Sequence, residues 1–274
     1  MDNSADPRTE QIRLAVVQFP RTAPDRAAHI HRMADYLVNL EPADIVLLPE
    51  DWLGPQVVPW PEYLGMVKIL AAGLPPACLL VSGAQYVETA DGVFSRGLFL
   101  LPGREIPFDK QFPSQAVGER GFVRPGRFLP VVEHRGVRLG AVVCVDLMYP
   151  ELTRRLALQG AEVVLNPANI PADRLELWRA LGLVRAAENT VFLACANNTG
   201  TSYEDGRPVS GGSFVARPNG CGFSAAGPCE GVYYFDIDLT EIKAVRRRWP
   251  YLADVRGLRE GIQHCPGGKP PASD

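Results

Sequence analysis

The chain has no excess of charge of either sign. Across its 274 residues, 28 Lys and Arg stand against 31 Asp and Glu, a formal net charge of −3. A balance so near neutrality lacks the basic footprint of a nucleic-acid-binding protein. The one basic cluster, Arg246-Arg247-Arg248, is too short to supply it and reads as a solvated or interface segment. No apolar run approaches the ~20 residues that span a bilayer. The polar opening MDNSADPRTEQ has neither the basic nor the apolar stretch of a secretory signal. The expectation is a cytoplasmic protein with no nucleic-acid or membrane partner. The six cysteines include no C-x-x-C pair, so zinc-site and thioredoxin-like readings lack support. In a chain that is 46% hydrophobic, able to build its own core, free thiols fit better than a disulfide framework. There is no G-x-x-x-x-G-K-[ST] loop, three-glycine dinucleotide fingerprint, G-x-S-x-G elbow or H-E-x-x-H helix. Histidine is scarce, with four in all. His29 and His31 stand two apart on a helical stretch, cannot share a face, and are expected at the surface. A Cys–His dyad through His134 has no local signature behind it.

What is present is a rhythm. Continuous apolar, β-branched runs at 12–19, 45–48, 78–85 and 96–101 predict buried strands, with helices predicted over 25–40 and 62–72 between them. In the first helix Ala28, Met33, Ala34, Leu37 and Val38 share a broad apolar face, and Glu41-Pro42 ends it. The second half repeats the pattern, with strands at 137–143, 163–165 and 191–196 and helices at 151–159 and 175–188. Strands at 213–216 and 232–236 then flank the turn Pro218-Asn219-Gly220, after a turn-rich stretch over 197–212. Strands apolar on both faces, alternating with helices, indicate an α/β protein whose sheets are covered on both sides. No linker divides the chain. The expected organisation is a single domain over 11–263 with disordered tails at 1–10 and 264–274.

Three residues carry possible chemistry. Cys144 ends the strand LGAVV just before a helix, where a turn presents the side chain outward and a helix N-terminus favours thiolate. Backbone N–H groups at such a turn can bind an oxyanion. Glu50 follows the apolar run IVLLP, at the carboxyl end of a strand, where α/β proteins place ligands. Lys110 sits between aromatics in Phe108-Asp109-Lys110-Gln111-Phe112, a setting in which desolvation could tune it. Taken singly none compels a catalytic reading. A strand-end cysteine is commonly a small packed hydrophobe, and loop acids and surface lysines are ordinary.

Together, in order and spacing, they form a pattern. Pro49-Glu50, Asp109-Lys110-Gln111 and Val143-Cys144-Val145-Asp146 with Tyr149-Pro150-Glu151 resemble the Glu–Lys–Cys triad of the nitrilase (carbon–nitrogen hydrolase) superfamily. Supporting segments extend the likeness from about residue 12 to 238. They include Gly118-Glu119 before Pro125-Gly126, Leu165-Asn166-Pro167-Ala168, Arg185 to Asn189, and Ala196-Asn197-Asn198-Thr199-Gly200. The resemblance implies a four-layer α-β-β-α sandwich. It implies Cys144 as nucleophile, Glu50 as general base and Lys110 as the cation beside the tetrahedral intermediate. Glu119 and the Val145 N–H would be supporting and oxyanion groups, and no metal or organic cofactor is implied. Val145, where true nitrilases often carry an aromatic residue, points to the amidase-like branch, with a small-molecule amide as substrate. The alternatives are an N-carbamoyl amide hydrolase, a nitrilase, an acyl transferase to an amine, and a catalytically silent scaffold. Tyr149, Asn169 and Trp178 are candidates to line the substrate pocket, Tyr149 and Trp178 fitting core packing as well. The family's habit of self-association implies a homodimer or larger assembly, with 245–251 (VRRRWPY) as a candidate interface.

Overall fold

A computed structural model describes residues 10–22 and 25–258; the tails expected at 1–10 and 264–274 lie outside them, Glu10 apart. The alternating strands build two sheets. In the first, Gln11–Gln18, Ile45–Leu47 and Leu79–Val81 run parallel at the centre. Gly231–Asp238 adds antiparallel beside Gln11–Gln18. On the other side Gly92–Leu101 pairs antiparallel with Leu79–Val81, Gln85–Thr89 and Arg104–Asp109. In the second sheet Val137–Ala141, Val163–Pro167 and Phe192–Ala196 are parallel. Antiparallel strands Val131–His134 and Phe214–Ala216, the latter followed by Phe223–Ala225, complete it.

Side-chain alternation with period two assigns the layers. Leu14, Val16, Ile45 and Leu47 join Leu139, Ala141, Val163 and Leu165 in one apolar cluster between the two sheets. Ala15, Val17, Val46 and Leu80 point the other way, onto helices α1 (Arg26–Val38) and α2 (Trp60–Ala72), with Met33, Leu37, Tyr63 and Val67. On the far side Val142, Val164 and Leu193 meet α3 (Pro150–Leu158) and α4 (Leu175–Asn189) through Leu152, Leu156, Trp178 and Ala186. The result is a single-domain α-β-β-α sandwich. Each buried Val or Leu contributes about 1.5–3 kcal/mol, so a one-residue slip that moved a strand's apolar set off its cluster is heavily disfavoured. The chain ends its described course in α5 (Thr240–Arg248) and α6 (Tyr251–Leu258).

Several expectations need correction. The run 78–85 is not one strand: it breaks after Val81, and Gln85–Thr89 is a separate strand. Gly83 makes the break, at φ +70, and a Cβ there would lie 2.0 Å from the Pro49 carbonyl oxygen. His29 is buried, not at the surface. It occupies the same stripe as Met33 and Leu37, four residues apart in turn, while Val38 is exposed. The strands at 213–216 and 232–236 do not pair across Pro218-Asn219-Gly220. That turn leads into Phe223–Ala225 in the second sheet, and Gly231–Asp238 returns to the first. In the 245–251 segment Val245 is buried, and Arg246 Nε donates to Thr190 Oγ1 at 3.2 Å within its own domain. Trp249 is half-buried and Tyr251 exposed. No helix among the described residues is long and apolar enough to cross a membrane.

Candidate active site

Segments leaving the carboxyl ends of parallel strands from both sheets meet at one place, as the segments that bind ligands in α/β sheets do. Glu50 follows Ile45–Leu47, Cys144 follows Val137–Ala141, Asn169 follows Val163–Pro167, and Asn198 follows Phe192–Ala196. Hydrogen bonds lace the segments together across the two sheets. The Glu50 N–H donates to the Ala168 carbonyl at 3.3 Å. Asn198 Nδ2 donates to the Glu50 carbonyl at 2.7 Å and to Asn169 Oδ1 at 3.1 Å.

Lys110 arrives from a third direction, directly after the edge strand Arg104–Asp109. Its Nζ lies 2.9 Å from Glu50 Oε1 and 2.6 Å from Glu119 Oε1. All three side chains are buried, at 1% exposure for Lys110, 3% for Glu50 and 1% for Glu119. Glu119 is fixed in turn by the Tyr86 hydroxyl, which donates to Oε1 at 2.8 Å, and by the Ser114 N–H, which donates to Oε2. Gly126 packs where only glycine fits, because a Cβ would lie 2.5 Å from the Lys110 carbonyl oxygen.

Cys144 opens a 3-10 turn, Cys144–Met148, with φ +45. A non-glycine residue held in that region costs roughly 1–3 kcal/mol, and such residues cluster at functional sites. The half-buried thiol lies within electrostatic reach of the Glu50 carboxylate and points toward the Asn169 carbonyl oxygen at 3.9 Å. Val145 lies in the first turn of this 3-10 element, where backbone N–H groups have no intrahelical acceptor. Asp146, fully buried, ties the cysteine turn to the lysine segment. Its Oδ2 accepts from Gln111 N at 2.8 Å and Val143 N at 3.4 Å, and its Oδ1 from Phe112 N at 2.9 Å.

The electrostatics follow from burial. Desolvation pushes the Cys144 thiol well above its ordinary value, and the Glu50 charge adds to the rise, while Lys110 opposes it. Burial beside a carboxylate thus works against the thiolate that a helix N-terminus favours. Glu50 is also raised, chiefly by desolvation, against the pull of Lys110. For Lys110 burial works downward, yet the charges of Glu50 and Glu119 win and raise it well above the ordinary lysine range. The arrangement holds a neutral thiol, a carboxylate able to take its proton, and a permanent cation.

The candidate pocket residues fare differently. Asn169 is buried beside the thiol, its carbonyl shared between Cys144 and the Tyr203 hydroxyl, which donates to it. Tyr149 is half-buried and stacks on Phe112, ring centroids 4.2 Å apart. Trp178 lies in the apolar cluster between the second sheet and its helices, with its indole N–H unpartnered. Asp146, Asn198 and Tyr203 were not anticipated at the site. Asp146 could have been found from its place two residues after Cys144. Tyr203 sits in a turn-rich stretch with no periodicity to betray it.

The family model described as carbon-nitrogen hydrolase matches residues 13–247. An (R)-stereoselective amidase of a Pseudomonas species is 28% identical over 261 residues, 92% of this chain and 94% of that protein. A deaminated glutathione amidase of Synechocystis is 32% identical over 191 residues, 68% of this chain and 70% of that protein. Among solved structures, a superfamily protein of Xanthomonas campestris with an arsenic adduct in its active site aligns with a TM-score of 0.80 at 24% identity. It covers 94% of this chain and all of that one. An amidase mutant of Nesterenkonia, with the acetamide moiety of fluoroacetamide covalently added at its active-site cysteine, aligns with a TM-score of 0.76 at 23% identity. There 90% of this chain and 95% of that one are covered.

Proposed function

The chain belongs to the carbon–nitrogen hydrolase family, and from that premise we propose that it is a small-molecule amidase working through a thioester on Cys144. The observation that carries this reading is the convergence of the Cys144 thiol, the Glu50 carboxylate and the Lys110 ammonium at the strand ends of both sheets. Glu50 takes the thiol proton as sulfur attacks the amide carbonyl carbon, which spares the site from holding a buried thiolate at rest. The carbonyl oxygen gains the negative charge, stabilised by Lys110 and the Val145 N–H. As the intermediate collapses, the carbon–nitrogen bond breaks, and Glu50 returns its proton to the departing ammonia or amine. A water, deprotonated by Glu50, then attacks the thioester, and the carboxylic acid leaves with the thiol restored. Glu119 holds Lys110 from the far side, so that the ammonium does not collapse wholly onto Glu50.

The amidase-type relatives, among them the (R)-stereoselective and deaminated glutathione amidases, favour an amide over a nitrile substrate. The covalent adduct on the Nesterenkonia cysteine supports a cysteine nucleophile here by analogy. Self-association into a dimer or larger assembly is a further proposal, and sedimentation at micromolar concentration checks it. The decisive screen reads ammonia release from amides, N-carbamoyl compounds and nitriles with wild type and Cys144→Ala. The reading requires release from at least one amide and its loss in the variant. Full activity in Cys144→Ala would overturn it.

A further inference from the structure

Residues 197–212 leave the second sheet and form a small hairpin of their own. Its strands, Thr201–Ser202 and Pro208–Val209, pair with each other. Its tip is exposed and closed by its own hydrogen bonds, Tyr203 N–H to the Arg207 carbonyl at 2.9 Å and Gly206 N–H to the Tyr203 carbonyl at 2.9 Å. The stem is anchored beside Glu50: Asn198 donates to the Glu50 carbonyl, Gly211 N–H donates to the Asn198 carbonyl at 3.0 Å, and Val209 is buried. From this tip the half-buried Tyr203 reaches inward, and its hydroxyl donates to the Asn169 carbonyl oxygen. The Cys144 thiol points at that same oxygen. Phenol and nucleophile thus stand one hydrogen bond each from a single atom. On the outer side the Arg207 guanidinium lies over the Tyr203 ring, 5.0 Å from its centroid, and is paired to Asp205 at 2.8 Å. The ring is clamped between a cation outside and a carbonyl inside.

We propose that Tyr203 is a specificity residue that caps the acyl subsite beside Cys144 and restricts it to amides of short acyl groups. This rests on the reading of Cys144 as the nucleophile. Any acyl carbon bound to Cys144 must share space with the phenol that meets the same carbonyl, so a long or aromatic acyl group requires the hairpin to move. The hydroxyl stays protonated, because burial and the nearby Glu50 charge raise its pKa. It therefore remains a donor to Asn169 and keeps the cap shut across the working pH range. The apolar ring, and not the charge of the site, sets the limit.

Two readouts test the cap. The first is modification of Cys144 by methyl and benzyl methanethiosulfonate, followed peptide by peptide, with exposed Cys221 as the reference thiol. In wild type the methyl-to-benzyl rate ratio at Cys144 exceeds that at Cys221 by about tenfold or more, as expected where a pocket discriminates by size. In Tyr203→Ala the two ratios converge, while Tyr203→Phe, which keeps the ring, retains most of the discrimination. Should the alanine variant unfold, Tyr203→Leu, lacking the distal ring, gives the same readout. The second is the ratio of kcat/KM for acetamide over phenylacetamide, which falls by about tenfold in Tyr203→Ala. An unchanged size ratio at Cys144 in the truncated variants overturns the cap. If no amide is hydrolysed, the amidase reading fails, yet the thiosulfonate ratio still decides the cap. If amides are hydrolysed with unaltered selectivity, the cap fails and the amidase stands.

Discussion

Asp109 and Lys110 are consecutive, buried and ion-paired, yet the two pairs are built on different terms. Asp109 meets Arg96 through two bonds, Nε to Oδ1 at 2.6 Å and Nη2 to Oδ2 at 3.2 Å. The Arg127 N–H donates to the same carboxylate at 2.9 Å and the Phe128 N–H at 3.2 Å. The Arg96 guanidinium lies within 5.2 Å of the ring centroids of Trp60, Phe94 and Phe128. That pair is one cation to one anion, with both carboxylate oxygens engaged: an anchor. Lys110 is one cation shared between two carboxylates and within electrostatic reach of a thiol. Its site carries more buried acid than base, the surplus the proposed proton transfers draw on. One pair fixes the segment, and in the proposed mechanism its neighbour acts from the fixed position.

Anchor and site differ most at Lys110. Lys110→Met should lower kcat/KM by about 10³-fold or more, since one lost oxyanion partner costs 10²–10³ and the base loses its counter-charge as well. Folding should also suffer, by about 3–5 kcal/mol, because two buried carboxylates are left without a cation. That loss is smallest at acid pH, where Glu50 holds a proton, and grows as pH rises through its raised folded value. Denaturant titrations at pH 5 and pH 8 check the sign.

At the anchor the balance reverses. Arg96→Met should cost about 3–5 kcal/mol of stability for the same reason, but lower kcat/KM less than Lys110→Met does. Adding Asp109→Leu should recover part of that stability, because a buried pair replaced whole by apolar groups is often nearly neutral. Paired stability and activity assays on the single and double variants decide it. An activity loss at Arg96 as large as that at Lys110 would erase the distinction between anchor and site.

A smaller effect is expected at Asp146. Asp146→Asn puts a donor where the carboxylate accepts backbone N–H groups, and should lower kcat about tenfold while KM stays within about threefold, the scale of one charge-assisted hydrogen bond. Burial pushes the Asp146 carboxyl from 3.8 up to about 7, against the pull of the Gln111 and Phe112 amides. Its contribution to stability is therefore complete below its unfolded value and lost as pH rises through about 7. Activity moves the other way, falling below about 7 as the carboxyl takes a proton and accepts fewer bonds. The wild-type profile of kcat should show this limb and the Asn variant should lack it.

The uneven legibility of the sequence has a physical cause. Glu50 and Cys144 end strands buried on both faces, and such strands announce themselves as unbroken apolar runs that stop at the site. The strand Arg104–Asp109 that delivers Lys110 was missed because it pairs along one side, with Gly92–Leu101, and so carries exposed charges and Pro107. Trp178 was ambiguous from spacing alone, since a helix position facing a sheet and one facing a pocket share the same periodicity. Tyr203 was invisible because its place at the site depends on a long-range bond to Asn169. Helix-end electrostatics around the thiol can be read locally, whereas its burial against Glu50 depends on the assembled fold.

In the proposed mechanism Cys144 carries the acyl group. This is tested most directly by quenching the enzyme with acid during turnover of an amide identified by ammonia release, then weighing the cysteine peptides. The expected result is an acyl adduct on the Cys144 peptide alone, released as a hydroxamate by hydroxylamine and absent in Glu50→Gln. Hydrolysis with no trace of adduct in wild type and undiminished in Cys144→Ala, or an adduct on any other cysteine, would contradict it.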